Sequence, residues 1–176
     1  MIEFAVPEAI EQRLQFVRRV AQEHMRPAAR PYDDVEHQVP WDFVRVMWNE
    51  ALRTGHSFRS GAGPGGNGAE LASQTLLHVI EMLSWGDAGI YLCGPGAGLG
   101  GAAIEATGTP EQKRRFLDRY REGEPKWACM AMTESHCGSD TAAIRTTAVR
   151  DGDAWVLNGE KIFVTSGHKA LVDSQG

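Results

Sequence analysis

The residues best equipped for chemistry fall between positions 127 and 166. An apolar run over 127–132 meets Thr133-Glu134, a small-residue loop follows at Cys137-Gly138-Ser139-Asp140, and a later run ends in Phe163-Val164-Thr165. Thr133 offers a hydroxyl and a backbone N–H at a loop mouth. Gly138 has no side chain to keep a ligand away from the backbone. Phe163 places an aromatic ring beside the hydroxyl of Thr165. Two strand ends that carry hydroxyls, with an aromatic ring beside them, can hold a flat heterocycle by its edge and its face. The same residue types also serve as N-caps and turn residues between strands, and residue types alone leave both readings open.

Other chemistries are weaker. His136 stands beside Cys137, with Cys129 a little upstream, but no second ligand pair at a usual metal spacing accompanies them, so no metal site is expected. Glu134 and Asp140 flank turns, where acids commonly cap backbone N–H groups, and neither is expected to act as a base. The odd cysteine count (Cys93, Cys129, Cys137) suits a reducing compartment.

A chain of 176 residues with 42% hydrophobic and 23% charged residues is ordinary for one globular domain or two small ones. The net charge of −5 argues against a nucleic-acid partner, since binding phosphates needs a basic surface. Lys113-Arg114-Arg115, Arg119 and Arg121 are interleaved with acids and read as a solvated helix face. The N-terminus lacks a basic stretch followed by an apolar one, and no run approaches the roughly 18 apolar residues of a membrane span. A soluble, cytoplasmic protein is expected.

These residues need elements to position them. Ile10, Leu14, Val17 and Ala21 recur at helical spacing after Pro7-Glu8, and Pro27 and Pro31 are expected to end that helix. A second helix is predicted from Pro40 or Trp41 to Arg53, with Phe43, Val46, Met47 and Leu52 inward and Gly55 as its stop. The glycine-rich stretch over 61–68 lacks the Lys-Ser/Thr pair of a phosphate loop and reads as a flexible connection. From about Ala69, Leu71, Leu76, Val79, Ile80 and Leu83 predict a long helix broken at Trp85-Gly86-Asp87. Another helix is predicted over 88–106, whose many small residues imply a close neighbour, a helix or a flat ligand. Thr109, Pro110 and Gln112 spell a capping box for a helix reaching about Arg121. Beyond it, 142–150, 154–157 and 161–165 read as strands, with hairpin signals at Asp151-Gly152 and Asn158-Gly159. The expected fold class is α+β: an N-terminal α-helical domain over 1–124, then the start of an antiparallel β domain over 125–176.

The segment Met130-Ala131-Met132-Thr133-Glu134, Gly138-Ser139-Asp140, Ala143-Ile144-Arg145-Thr146-Thr147-Ala148, Leu157-Asn158-Gly159-Glu160-Lys161 and Phe163-Val164-Thr165 resembles the flavin-binding signature of the acyl-CoA dehydrogenase family. Trp85-Gly86-Asp87-Ala88-Gly89 and Gly108-Thr109-Pro110-Glu111-Gln112-Lys113 are similar to that family too, so the resemblance covers nearly the whole chain. It implies an N-terminal helical domain, a middle β domain and a C-terminal four-helix domain. It also implies non-covalent FAD and oxidation of the α,β bond of an acyl-CoA, with a glutamate removing the α-proton and the β-hydrogen leaving as hydride.

By the same resemblance, Met130, Met132 and Thr133 lie along the flavin ring, and Gly138 and Ser139 approach the FAD pyrophosphate, Ser139 also nearing the acyl-CoA. Phe163, Val164 and Thr165 flank the flavin, Phe163 standing where the family has a ring-stacking tryptophan. Ser135-His136-Cys137 departs from the family pattern after the glutamate, and Met130 replaces a common aromatic. No carboxylate matches the family's base, which is expected in a C-terminal region beyond residue 176. The implied partners are an acyl-CoA substrate, an electron-transfer acceptor, and a further copy or complementing chain. A non-catalytic flavin- or partner-binding fragment is the alternative.

Overall fold

In a computed structural model, residues 6, 8–35, 37–55 and 68–174 are described. The glycine-rich connection, except for Gly68, and the side chain of Leu71 lie outside them.

The first helix, α1 (Glu8–Val20), does not end at Pro27. It widens into a π turn over Ala21–Met25 and continues as α2 (Arg26–Asp34). In a regular helix the proline ring collides with the carbonyl four residues back. Here the Arg26 N–H reaches back five residues to Ala21 O, and Pro27 falls in the first turn of α2, where no N–H is needed. Pro31 stands inside α2, which ends at Asp34. The stripe Ile10, Leu14, Val17 and Ala21 is buried as its spacing predicts, and Met25 extends it.

Helix α3 (Trp41–Thr54) ends at Gly55, which takes the left-handed conformation at φ 68°. Its buried face is Phe43, Val44, Met47 and Trp48, whereas Val46 and Leu52, expected inward, are only half-buried. Trp48 sets this rotation by donating its Nε1–H to Gly123 O at 2.7 Å.

Helix α4 (Gly68–Leu92) kinks at Asp87, whose backbone is extended there (φ −175°, ψ 123°). The Asp87 carboxylate accepts the Ile90 N–H at 2.7 Å, capping the second half. α1 and α2 pack on α4, and Val79, Leu83 and Ile90 join the stripe of α1 in one core. Full burial of side chains such as Leu83 and Phe43 contributes about 2–3 kcal/mol each.

The single helix predicted over 88–106 is interrupted. The backbone leaves α4 after Leu92, pairs at Gly96 with Trp127, and re-enters as α5 (Gly98–Thr107). Pro95 lacks the N–H that a continuous helix requires. The close neighbour implied by the small residues is largely backbone: a Cβ on Gly100 would lie 2.6 Å from Cys129 O. Helix α6 (Pro110–Leu117) carries the predicted capping box. The Thr109 N–H donates to Gln112 Oε1 at 2.8 Å, and the Gln112 N–H to Thr109 Oγ1 at 3.3 Å. A 3-10 turn over Asp118–Arg121 follows.

Trp127 closes the helical layer. It is buried, its Nε1–H donates to Cys93 O at 3.0 Å, and its ring meets Trp41 edge-on at 6.0 Å. Strands β1 (Thr147–Asp151) and β2 (Ala154–Asn158) form an antiparallel ribbon with Asp151 opposite Ala154, so Gly152-Asp153 make the two-residue turn. A short helix, α7 (Gly167–Ser174), places the Lys169 ammonium over Trp41 at 4.9 Å and Trp127 at 5.7 Å.

Two strand expectations fail. Residues 142–146 open with a 3-10 turn at Thr141–Ala143, and the ladder starts only at Thr147. Residues 161–165 form no strand, because Phe163 takes φ 56°, a left-handed conformation that a pleated ladder cannot contain.

Candidate functional site

Glu134 and Cys137 exchange backbone bonds, Glu134 N–H to Cys137 O at 3.0 Å and Cys137 N–H to Glu134 O at 3.2 Å, so Ser135-His136 form a tight turn. His136 is not among the residues with positive φ, so the position costs a histidine no left-handed strain. After Gly138-Ser139, the Thr141 N–H bonds to Ser139 O and the 3-10 turn swings the chain round. Its exit brings two backbone N–H groups onto the Glu134 side chain. Arg145 N–H donates to Oε2 at 2.9 Å and Thr146 N–H to Oε1 at 3.0 Å, joined by the Thr146 hydroxyl at 2.6 Å.

The chain returns to this place after the ribbon. Asn158-Gly159, which reads as a hairpin signal, is instead a point of close approach. At φ 153°, Gly159 lies against Thr146, and a Cβ there would fall 2.7 Å from Thr146 Cβ and 2.8 Å from its Cα. This contact delivers Lys161, whose ammonium donates to Glu134 Oε1 at 2.7 Å and to Met132 O at 2.8 Å. One residue on, the Ile162 N–H donates to Thr133 O at 2.9 Å.

Glu134 is 5% exposed and is the buried charged side chain among the described residues. The Lys161 ammonium, then the Thr146 hydroxyl and the Arg145 N–H, hold its carboxyl well below the usual carboxylate range, against the opposing effect of burial. It is charged, saturated with donors and closed to solvent, so it is not poised to take a proton. Ligand atoms of Glu134, His136 and Cys137 lie within 4.8 Å of one another. Yet His136 Nε2 stands 3.0 Å from Ala143 O, a carbonyl that only accepts, so that nitrogen carries a hydrogen and offers no lone pair. The Glu134 oxygens are likewise taken up by Lys161, Thr146 and the Arg145 N–H.

The residues singled out from sequence fall into two groups. The 132–133 and 161–162 backbones are linked by the bonds above. Around them Met130 and Met132 are exposed at 38% and 42%, Phe163 at 88%, and Thr133 and Val164 are half-buried. Thr165 is exposed. Gly138 and Ser139 are exposed on the turn, and among the described residues no hydrogen bond ties them to 163–165. Gly138 opens onto free space, with nothing within 4 Å of where a Cβ would stand. The donor set, two threonine hydroxyls amid exposed Met and Phe side chains, fits a flat heteroaromatic group with a polar edge. Lys161 was not among the sequence candidates; its position two residues after a glycine in the Leu157-Asn158-Gly159-Glu160-Lys161 motif was the available signal.

Two consecutive modules of one protein class are present in order. Residues 7–124 match the profile described as acyl-CoA dehydrogenase, N-terminal domain, and residues 129–172 match acyl-CoA dehydrogenase, middle domain. The chain belongs to the acyl-CoA dehydrogenase family. It is 38% identical over 124 residues to acyl-CoA dehydrogenase IpdE1 of Mycobacterium tuberculosis, an overlap of 70% of this chain and 32% of that protein. It is 34% identical over 155 residues to the short-chain specific acyl-CoA dehydrogenase of Clostridium acetobutylicum, covering 87% and 39%. A glutaryl-CoA dehydrogenase of Mycobacterium smegmatis, solved in complex with FADH2, superposes with a TM-score of 0.74 at 25% identity over 94% of this chain and 41% of that one. The chain thus spans less than half the length of these relatives. Among the described residues no helix is long and apolar enough to cross a membrane.

Proposed function

We propose that this chain is the N-terminal part of an FAD-dependent acyl-CoA dehydrogenase, an oxidoreductase that oxidises the α,β bond of an acyl-CoA. The observation that supports it is the joining of 130–133 to 161–165 through Lys161 and the Ile162 N–H, two segments that carry the exposed Met130, Met132 and Phe163 together with Thr133 and Thr165. In this reading Met130, Met132, Thr133, Phe163, Val164 and Thr165 hold the flavin ring, and Gly138 and Ser139 the pyrophosphate, with Ser139 also reaching the acyl-CoA. FAD, when bound, supplies a two-electron acceptor. The chain's own residues orient it: Thr133 and Thr165 offer hydroxyls to its polar edges, while Phe163 and the methionines shield its face from water. In this reading the proton-abstracting base is not Glu134, which is committed to Lys161, and is placed in a further part of the protein.

All ten residues of β1 and β2 are exposed, Trp155 at 64% and Leu157 at 74% among them. Such a ribbon is marginal in water by itself. This favours association with a further chain segment, a second copy or a complementing chain, and an electron-transfer acceptor belongs to the same reading. A flavin- or partner-binding module without catalysis is the second reading.

The test is an absorption spectrum of the purified chain after addition of FAD. A flavin band that stays with the protein through gel filtration is expected; a colourless protein overturns the flavin reading. Anaerobic acyl-CoA should leave that band unbleached, and bleaching by this chain alone would refute an external base.

A further inference from the structure

We infer that Glu134 is a positioning residue, whose carboxylate, gripped by Lys161, Thr146 and the Arg145 amide, fixes how the segments 130–133 and 161–165 lie against each other. The inference rests on the reading that these segments hold a flavin, and it assigns their alignment to one buried side chain.

Three stretches of chain meet at this carboxylate. Glu134 directly follows 130–133, the donors of Arg145 and Thr146 come from the run into β1, and Lys161 comes from the return after β2. Among the described residues none of the three stretches is held there by a ladder, since β1 and β2 pair with each other and with no further strand. The alignment of 132–133 with 161–162 therefore depends on discrete bonds: Lys161 Nζ to Met132 O, Ile162 N–H to Thr133 O, and the Lys161–Glu134 ion pair that aims the ammonium. Remove the carboxylate and Lys161 loses its charged partner, while the Arg145 and Thr146 N–H groups lose their acceptor. The return segment then keeps the Ile162 N–H bond to Thr133 O, and a Lys161–Met132 contact whose ammonium has no counter-charge to aim it. Because Lys161 Nζ serves both Glu134 and the Met132 carbonyl, the carboxylate acts on the seam through Lys161 and not by touching the ligand.

The test uses Glu134→Gln, Lys161→Met, their combination, and Lys161→Arg, each in the whole chain. Hydrogen exchange at the Ile162 amide, followed without flavin, should accelerate by about tenfold or more in the first two variants while amides of α1 and α4 keep their protection. Unchanged Ile162 protection in both overturns the inference. Should Glu134→Gln lose the helical protection too, Lys161→Met, altered at the rim of the cluster, decides. FAD titration is the second arm. Each single variant should weaken binding, the double variant should be no weaker than the worse single, and Lys161→Arg should restore most of the affinity. Additive losses, or no recovery with arginine, overturn it. A wild-type chain that takes up no FAD sinks the flavin reading by itself, and the exchange arm still decides whether Glu134 aligns the two segments.

Discussion

Lys161 reaches Glu134 across a sequence separation of 27 residues, Nζ to Oε1 at 2.7 Å, and with the same ammonium grips the Met132 carbonyl. The contact joins the turn after the first apolar run to the segment that follows the ribbon, and its energetics set the first prediction.

Glu134 is held below its ordinary value of 4.5, with Lys161 the largest cause. A depressed folded-state pKa means that the carboxylate contributes stability above the unfolded value and loses it as pH falls through the folded one. The gap in urea midpoint between wild type and Glu134→Gln should therefore be steady from neutral pH down to about 5 and shrink below 4.5. Among the described residues, the titratable groups beside Glu134 are Lys161, Cys137 and His136, whose Nε2 stands 3.5 Å from Oε2, so His136→Ala and Cys137→Ser serve as controls. A gap that widens on acidification contradicts the assignment.

Gly138→Ala separates ligand from fold. Free space surrounds the site of the new methyl group, so the melting temperature of the chain should stay within about 1–2 °C, as for a surface change of a few tenths of a kcal/mol. FAD affinity should fall, because the methyl group stands where the pyrophosphate would approach. An unchanged affinity removes Gly138 from the proposed site.

Thr133→Ala and Thr165→Val each delete one hydroxyl at the seam. Loss of one hydrogen bond to a ligand is worth roughly 1 kcal/mol, so FAD dissociation constants should rise by about fivefold to tenfold, measured by flavin fluorescence. If both variants bind as wild type does, the hydroxyls do not face the ring.

Trp48→Phe keeps an aromatic ring in the core and removes the bond to Gly123 O. Because Gly123 is exposed, water can replace the donor there. A loss of about 1 kcal/mol in chemical denaturation is expected from the bond, with a further contribution from the smaller ring.

Cys93 should alkylate sluggishly. Burial, and secondarily the Asp87 carboxylate, pushes its thiol above the ordinary 9.0, leaving less thiolate at any given pH. Asp87→Asn retains a capping residue for the second half of α4 and removes the charge. It should shift the alkylation profile part of the way back, with the larger effect of burial remaining.

The helical layer was legible where a local rule acts alone. Thr109 and Gln112 cap each other as their spacing says, Gly55 stops α3, and the stripe from Ile10 to Ala21 is buried. It was not legible where a distant contact decides. Pro27 reads as a stop because sequence rules cannot show the π turn that relieves its ring. The face of α3 turns toward Val44 and Trp48 because of a carbonyl contributed by Gly123. Asn158-Gly159 has the composition of a hairpin, yet Gly159 is needed for contact with Thr146. Within the candidate site, Glu134 reads as a structural acid and does bind backbone N–H groups. Its cation became visible only once the chain had folded back on itself.

The position of Trp127 bears on how such a chain is made. Synthesis runs from the N-terminus, and domains commonly fold as they emerge. The indole that seals α3 and α4 lies beyond the last helix of that layer, so the layer stays open at Trp41 and at the Cys93 carbonyl until residue 127 is released. Glu134 waits longer still, for Lys161. A nascent chain thus passes through an interval in which α1 to α6 have been made while the layer is open at Trp41 and the Glu134 carboxylate stands without its cation.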